Sequence, residues 1–311
     1  MSIAFLFPGQ GSQFPGMLHQ LLDHPEVERT LDEISSVLHS DVRGLDFEES
    51  LESTVSVQLA LLTSAVATAR ALIEKGVEPS VVCGLSVGAF AAAVVADVLS
   101  LEDAVGLVKL RAEKMIELYP TGYGLSAIVG LNESQVLAIV QAVTTNQEPV
   151  FLANINAPLQ VVIAGSDAGM ERVLDQARRQ GARKAERLDV SVPSHCPLLQ
   201  PVADLLQHRF ATLRLRKPKM TYVGNVNARA MRAPELMASD LANNIAHGVR
   251  WHDATTVARE LGCNLFLEMP PGHILSDLAK ENVPGVNAVA VEKDILLKVL
   301  RLAQQEIAAG A

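Results

Sequence analysis

Cysteine is scarce in this chain: Cys83, Cys196 and Cys263 are the only three in 311 residues. None forms a CxxC pair or stands in a histidine cluster, so neither a disulfide framework nor a zinc site is expected, and reduced thiols of a cytoplasmic protein fit better. Positive charge is also in short supply. With 26 Lys and Arg against 35 Asp and Glu, the formal charge is −9, which removes the broad positive field that non-specific nucleic-acid binding requires. The opening residues, Met1 to Pro8, lack a basic segment and a long apolar segment, and they read as a first strand, not a signal peptide. The most apolar run, Leu85 to Leu101, carries Gly88 and Asp97 and is too short and interrupted to span a bilayer as a helix. Low-complexity tracts and internal repeats are missing as well, which excludes a disordered chain or a repeat array.

What is present is enough for a large core. Hydrophobic residues make up 49% of the chain, and the length exceeds one average domain. Ile3 to Phe7 is a short apolar run ending in the polar, glycine-containing loop Pro8-Gly-Gln-Gly-Ser-Gln13, the pattern of a buried strand followed by a tight turn. A helical pattern from about Val55 to Lys75 stops at Gly76, a suitable residue just past a helix end. Val81-Val82-Cys83 then reads as a second buried strand, and a small-residue helix follows from Ala89. Strand–helix alternation of this kind implies an α/β fold with a parallel sheet.

From Gly124 to Val192 the order changes to βαββαβ: a strand over 125–131, a helix from Asn132, strands near 150–155 and 160–164, a helix over 167–180 and a strand over 185–192. That is the ferredoxin-like arrangement. Because α/β alternation resumes afterwards, residues 124–192 are expected to be a subdomain inserted into a hydrolase-like catalytic domain made of 1–123 and 193–311.

Between the second strand and its helix lies Gly84-Leu-Ser-Val-Gly88. Small residues on both sides of Ser86 allow a sharp turn that presents the serine oxygen near a helix N-terminus, so Ser86 is the candidate nucleophile. A serine hydroxyl needs a neighbouring base, most often histidine. Of eight histidines, His195 stands out because it lies just after the last strand of the insert, where the chain re-enters the larger domain. Ser100-Leu-Glu-Asp is an N-cap pattern opening a helix to about Leu118. Ala104, Leu107, Val108, Met115 and Leu118 share one face of it, with Arg111 in the middle. An inward guanidinium needs a partner: either a structural carboxylate of this chain or the carboxylate of a ligand. Two basic runs, Arg178 to Arg187 and Arg209 to Lys219, flank His195 in sequence. They read as solvated faces, or as a means of steering a phosphate-bearing ligand or acidic partner.

Taken together, Phe7–Gln13, the Gly84–Gly88 turn, Arg111, the stretch Asn156–Gly165 and Val192-Pro-Ser-His-Cys196 resemble the malonyl-CoA:acyl-carrier-protein transacylase family, nearly end to end. The resemblance implies an acyltransferase with Ser86 as acyl-accepting nucleophile, His195 as base and then acid, and Arg111 as the clamp on the malonyl carboxylate. It further implies an oxyanion hole from the backbone N–H groups of Gln10 and Val87, and a backbone carbonyl at Arg250 that orients His195. Coenzyme A thioester enters as substrate, with no permanently bound cofactor and no metal, and the acceptor is the phosphopantetheine-type thiol of an acyl carrier protein. Synthesis-type members usually read Gly-His-Ser-Leu-Gly-Glu at the turn. Leu85, Val87 and Ala89 here look more like the epsilon subunit of bacterial malonate decarboxylase, which implies the other subunits of that complex as partners. The alternatives are a fatty-acid-synthesis transacylase and, from another class, a serine hydrolase or thioesterase. The latter would need an aspartate to complete a triad, and none stands out between Ser86 and His195.

Overall fold

The computed structural model describes residues 2–310; Met1 and Ala311, the outermost residues of the expected ranges, lie outside it. Ten strands occur among the described residues: β1 (Ser2–Phe7), β2 (Val81–Gly84), β3 (Tyr123–Val129), β4 (Val150–Ala157), β5 (Gln160–Ser166), β6 (Lys184–Arg187), β7 (Thr221–Val223), β8 (Ala230–Met231), β9 (Cys263–Glu268) and β10 (Asn287–Ala290). They form two sheets, one in the order β10-β9-β1-β2-β7-β8 and one in the order β4-β5-β3-β6. In the first, β10, β9, β1, β2 and β7 run parallel, and β8 closes the edge antiparallel to β7. The second is antiparallel throughout, with β3 between β5 and β6. These are the parallel α/β sheet and the ferredoxin-like βαββαβ unit that the sequence pattern implies.

Side-chain alternation explains why the parallel strands are apolar at nearly every position. In β1, Ile3, Phe5 and Phe7 enter one hydrophobic cluster, and Ala4 and Leu6 enter another on the opposite face. In β9, Leu265 and Leu267 divide from Phe266 in the same way, and a register shift between Cys263 and Leu265 leaves Cys263 in the cluster of Phe266. A strand with helices on both faces has no solvent side, so both sets of alternate residues are apolar. Each fully buried Leu or Phe contributes about 1.5–3 kcal/mol from burial alone.

The larger face carries the helix Thr54–Glu74. It is the one helix among the described residues that is long and apolar enough to cross a membrane, but 83% of its most apolar window is buried inside the protein. It is a core helix, apolar all round because neighbours surround it.

In the second sheet, Ile128, Val161 and Ile163 pack on the two helices of that unit, Glu133–Val143 and Asp167–Arg179. Leu125, Val162 and Ala164 point the other way and join the main core. Edge strand β4 is tied to the larger sheet's side by two backbone bonds, Ile155 N–H to Val249 O and Val249 N–H to Ala153 O, both 2.8 Å.

One expectation is corrected here. The last strand of this unit is Lys184–Arg187, not 185–192. Where the ladder would continue, the Arg187 guanidinium donates to the carbonyls of Tyr123, Leu125, Leu188 and Val190 at 2.6–3.0 Å. The ladder makes one more bond, Leu188 N–H to Leu125 O at 2.9 Å, and then stops: the Arg187 guanidinium occupies Tyr123 O, Val190 N–H turns back to Leu188 O, and residues 188–194 run as a loop leading to His195.

Candidate active site

Ser86 sits in the turn between β2 and the helix Gly88–Val95 with φ of 56°, in the left-handed region that costs a non-glycine residue roughly 1 kcal/mol or more. The flanking glycines allow the turn to press against the loop after β1. A Cβ on Gly88 would lie 2.2 Å from Phe7 O, and one on Gly9 would lie 2.9 Å from Leu85 O, so neither position accepts a side chain without a backbone shift. These two close approaches bring the Gly9–Gln10 loop beside the serine. Gln10 and Val87 both line the cleft around Ser86, and neither backbone N–H donates to a protein acceptor among the described residues. Two free donors beside the Ser86 hydroxyl suit an oxyanion.

His195 Nε2 lies 2.7 Å from Ser86 Oγ, and Nδ1 lies 2.6 Å from the backbone carbonyl of Asn244. A carbonyl only accepts, so Nδ1 carries the proton and Nε2 presents its lone pair to the serine hydroxyl. His195 is 2% exposed. Burial first, and the Arg111 charge second, push its pKa down to about 3, against the upward pull of the Asn244 carbonyl. The imidazole is therefore neutral and able to accept a proton at neutral pH.

The expectation that the Arg250 carbonyl orients His195 is corrected. Arg250 precedes the helix Trp251–Glu260, and its carbonyl accepts from Ala254 N–H at 2.9 Å as the first bond of that helix. Its side chain pairs with Glu133 and Asp253. Asn244 instead caps the C-terminal end of the helix Pro234–Asn243, where the last carbonyls have no partner within the helix and the dipole is negative. The backbone N–H of His195 also donates to Ile245 O at 2.7 Å. No carboxylate is bonded to His195 among the described residues, which leaves a Ser-Asp-His triad without its acid.

Arg111, on the helix Leu101–Leu118 capped by Ser100, is 1% exposed. Its Nη2 donates to Ser86 Oγ at 3.1 Å, and its Nη1 donates to Gln58 Oε1 at 2.6 Å and toward Met115 Sδ at 3.5 Å. Burial pushes its pKa down to about 9, so it stays charged at neutral pH. No carboxylate pairs with it among the described residues, and its Nε has no partner. Of the two readings open from sequence, the structural carboxylate is thus excluded: a buried cation faces the cleft with an unmet need for an anion.

The cleft has a volume of about 390 Å³ and is walled by both sheets' elements, with Leu125, Ala127 and Val162 on one side and Ser86, Arg111 and His195 on the other. Asn154 and Asn156 also line it, and their side-chain oxygens have no partner among the described residues. No group of three or more His, Cys, Asp or Glu that could hold a metal occurs among the described residues. The two basic runs do not line the cleft. Arg178 pairs with Glu171 and Asp175, Lys184 with Glu186, Arg187 with Asp167, and Arg216 and Lys219 with Asp97.

Two side chains that sequence reasoning missed complete the site. Gln58 holds Arg111, and its signal was a lone amide on the apolar helix Thr54–Glu74. Asn225, just after β7, accepts from Ser86 N–H at 2.9 Å, and nothing in its local sequence marks it.

Comparison with known proteins agrees with this geometry. Residues 4–294 match the acyl transferase domain family. The malonyl CoA-acyl carrier protein transacylase of Bacillus subtilis (strain 168) is 35% identical over 294 residues, covering 93% of each protein. That of Escherichia coli (strain K12) is 35% identical over 296 residues, covering 93% of this chain and 96% of the relative. Among solved structures, the malonyl CoA-acyl carrier protein transacylase of Coxiella burnetii superimposes with a TM-score of 0.92 at 36% identity over 97% of both chains. A malonyl-transacylase solved in complex with its type II PKS acyl-carrier protein gives 0.92 at 36% identity, covering 97% of this chain and 100% of the other. On whole-length identity and superposition together, the chain belongs to the malonyl-CoA:acyl-carrier-protein transacylase family of acyltransferases.

Proposed function

We propose that this chain moves a malonyl group from malonyl-CoA to the phosphopantetheine-type thiol of an acyl carrier protein by way of an ester on Ser86. One observation carries the reading. Ser86 Oγ is shared between a neutral imidazole nitrogen at 2.7 Å and a buried guanidinium at 3.1 Å that has no carboxylate of its own. The first makes a nucleophile; the second selects an acyl group that ends in a carboxylate.

In the first half-reaction Ser86 Oγ attacks the thioester carbonyl as its proton passes to His195 Nε2. Negative charge on the carbonyl oxygen is met by the N–H groups of Gln10 and Val87. The carbon–sulfur bond then breaks and coenzyme A leaves with the proton held by His195. In the second half-reaction the carrier thiol gives its proton to Nε2 and its sulfur attacks the ester, and Ser86 departs reprotonated.

Relatives named as malonyl CoA-acyl carrier protein transacylases support the fatty-acid-synthesis type over a malonate decarboxylase subunit. The decarboxylase reading stands second, on Leu85, Val87 and Ala89: Ala89 is fully buried in the main core, where synthesis-type enzymes carry a glutamate. We assign the activity to the cytoplasm, on the strength of three cysteines that are all free, buried thiols. Intact-mass measurement after mixing with malonyl-CoA tests the chemistry. A malonyl adduct is expected on the native chain, none on Ser86→Ala, and the adduct should clear when a carrier thiol is added. A malonyl adduct on the Ser86→Ala protein overturns the mechanism. Comparing clearance by a fatty-acid carrier with clearance by a decarboxylase carrier subunit separates the two readings.

A further inference from the structure

Ser86 and His195 come from different parts of the fold, and no backbone bond joins the Gly84–Gly88 turn to the Val192–Cys196 segment among the described residues. Their 2.7 Å contact therefore needs a common support. On the nucleophile's side that support is Asn225. Its Oδ1 accepts from Ser86 N–H at 2.9 Å, and its Nδ2 donates to Gly84 O at 2.8 Å, so one side chain closes over the strained turn from both ends. Asn225 is 3% exposed and does not line the cleft, which excludes a substrate contact.

Asn225 is held in turn by Asp240. The backbone N–H of Asn225 donates to Asp240 Oδ2 at 3.0 Å, Val226 N–H donates to Oδ1 at 3.0 Å, and the Tyr222 hydroxyl donates to Oδ2 at 2.7 Å. Asp240 lies on the helix Pro234–Asn243, and the residue that caps this helix, Asn244, supplies the carbonyl to which His195 Nδ1 donates at 2.6 Å. One helix thus reaches the nucleophile through Asp240 and Asn225 and, more weakly, through Asn244 Nδ2, which donates to Ser86 O at 3.4 Å, and it reaches the base through its own C-terminal carbonyl.

We infer that the helix Pro234–Asn243 is a bracket that sets the Ser86–His195 separation, with Asn225 as the positioning residue that transmits it to the nucleophile. The inference rests on Ser86 and His195 being nucleophile and base, as read above. Removing the Asn225 amide takes the acceptor from Ser86 N–H and the donor from Gly84 O, and frees the turn to relax. A displacement near 1 Å at a reacting atom costs about a hundredfold in rate.

The test is Asn225→Ala, labelled at Ser86 with a fluorophosphonate and assayed for malonyl-Ser86 formation, with thermal melting to establish that the variant is folded at the assay temperature. Labelling is expected to slow about a hundredfold. Malonyl-Ser86 formation at saturating malonyl-CoA should slow in parallel, with an unchanged half-saturating concentration, because Arg111 and the cleft are untouched. A folded Asn225→Ala protein that labels within twofold of the native rate overturns the inference, as does a rise in half-saturating concentration with the saturated rate intact. If Asn225→Ala does not fold, Asp240→Asn carries the same test: it keeps shape and part of the acceptor set, and about tenfold slower labelling is expected, with native-rate labelling overturning the inference. The fluorophosphonate carries neither a carboxylate nor coenzyme A. Normal labelling with no malonyl loading in the native chain would therefore count against malonyl-CoA as substrate and leave the bracket standing.

Discussion

Replacing Arg111 by Met isolates what the buried guanidinium does, because methionine fills much of its volume and removes its charge. Two unit charges about 4 Å apart in a partly screened site interact by about 4 kcal/mol. Two hydrogen bonds to a charged group, at about 1.5–3 kcal/mol each, bracket the same figure. At 1.36 kcal/mol per decade, about 4 kcal/mol is a preference of roughly a thousandfold for malonyl over acetyl in the second-order rate of acyl-enzyme formation. The native chain should show a ratio of that order in rapid-quench intact-mass measurements with malonyl-CoA and acetyl-CoA. Arg111→Met should collapse it toward one, chiefly by slowing malonyl. Stability should change little. A buried charge with no carboxylate partner is removed, while Gln58 Oε1 is orphaned at a cost of about 1–3 kcal/mol. A folded Arg111→Met protein that keeps the native malonyl-to-acetyl ratio refutes the reasoning, because the carboxylate would then be recognised elsewhere.

Two further outcomes follow from the same geometry. Gln58→Leu removes the acceptor that steers Arg111 Nη1; the loss of one hydrogen bond to a charged group should raise the half-saturating malonyl-CoA concentration about tenfold or more, while fluorophosphonate labelling of Ser86 stays at the native rate. His195, held down to about 3 from an ordinary 6.5, should remain a base in mildly acidic solution, so acylation should not halve near pH 6.5 as it would with an unshifted histidine; a rapid-quench pH profile of the free enzyme checks this. The sign for stability is set by the unfolded chain taking up the proton first. Folded stability should therefore fall as pH drops from about 6.5 toward about 3, and urea midpoints of His195→Gln should lack that component of the slope.

Much of the fold is legible because local and tertiary signals coincide. Ser100 caps the Arg111 helix through a 3.0 Å bond from Asp103 N–H, and Gly76 takes the left-handed conformation just past Thr54–Glu74, as their positions in the sequence imply. The strand Lys184–Arg187 fails where the competing interaction is not local. Arg187 reaches carbonyls of Tyr123 and Leu125, some 60 positions away, and no window of hydrophobicity over 185–192 records that. The short β7–β8 hairpin is hidden for a different reason: its two-residue second strand is too brief to leave a periodic pattern.

The site divides along the same line, between residues that act by their side-chain chemistry and those that act by where the backbone ends. Ser86, His195 and Arg111 are readable because a hydroxyl in a glycine-flanked turn, an imidazole after a crossing and a cation on an apolar helix face are each costly to place without a purpose. The carbonyl that orients His195 has no side chain to announce it. It is decided by which helix end is left unsatisfied next to the imidazole, and Arg250, at the start of a helix, has a carbonyl already committed to Ala254, whereas Asn244, at the end of one, does not. Asn225 is harder still, since it bonds Ser86 from 139 positions away and its role exists only once β2 and β7 are adjacent in the sheet. A nucleophile can therefore be predicted from its own turn, but the distance to its base is a property of the helix Pro234–Asn243 that holds both.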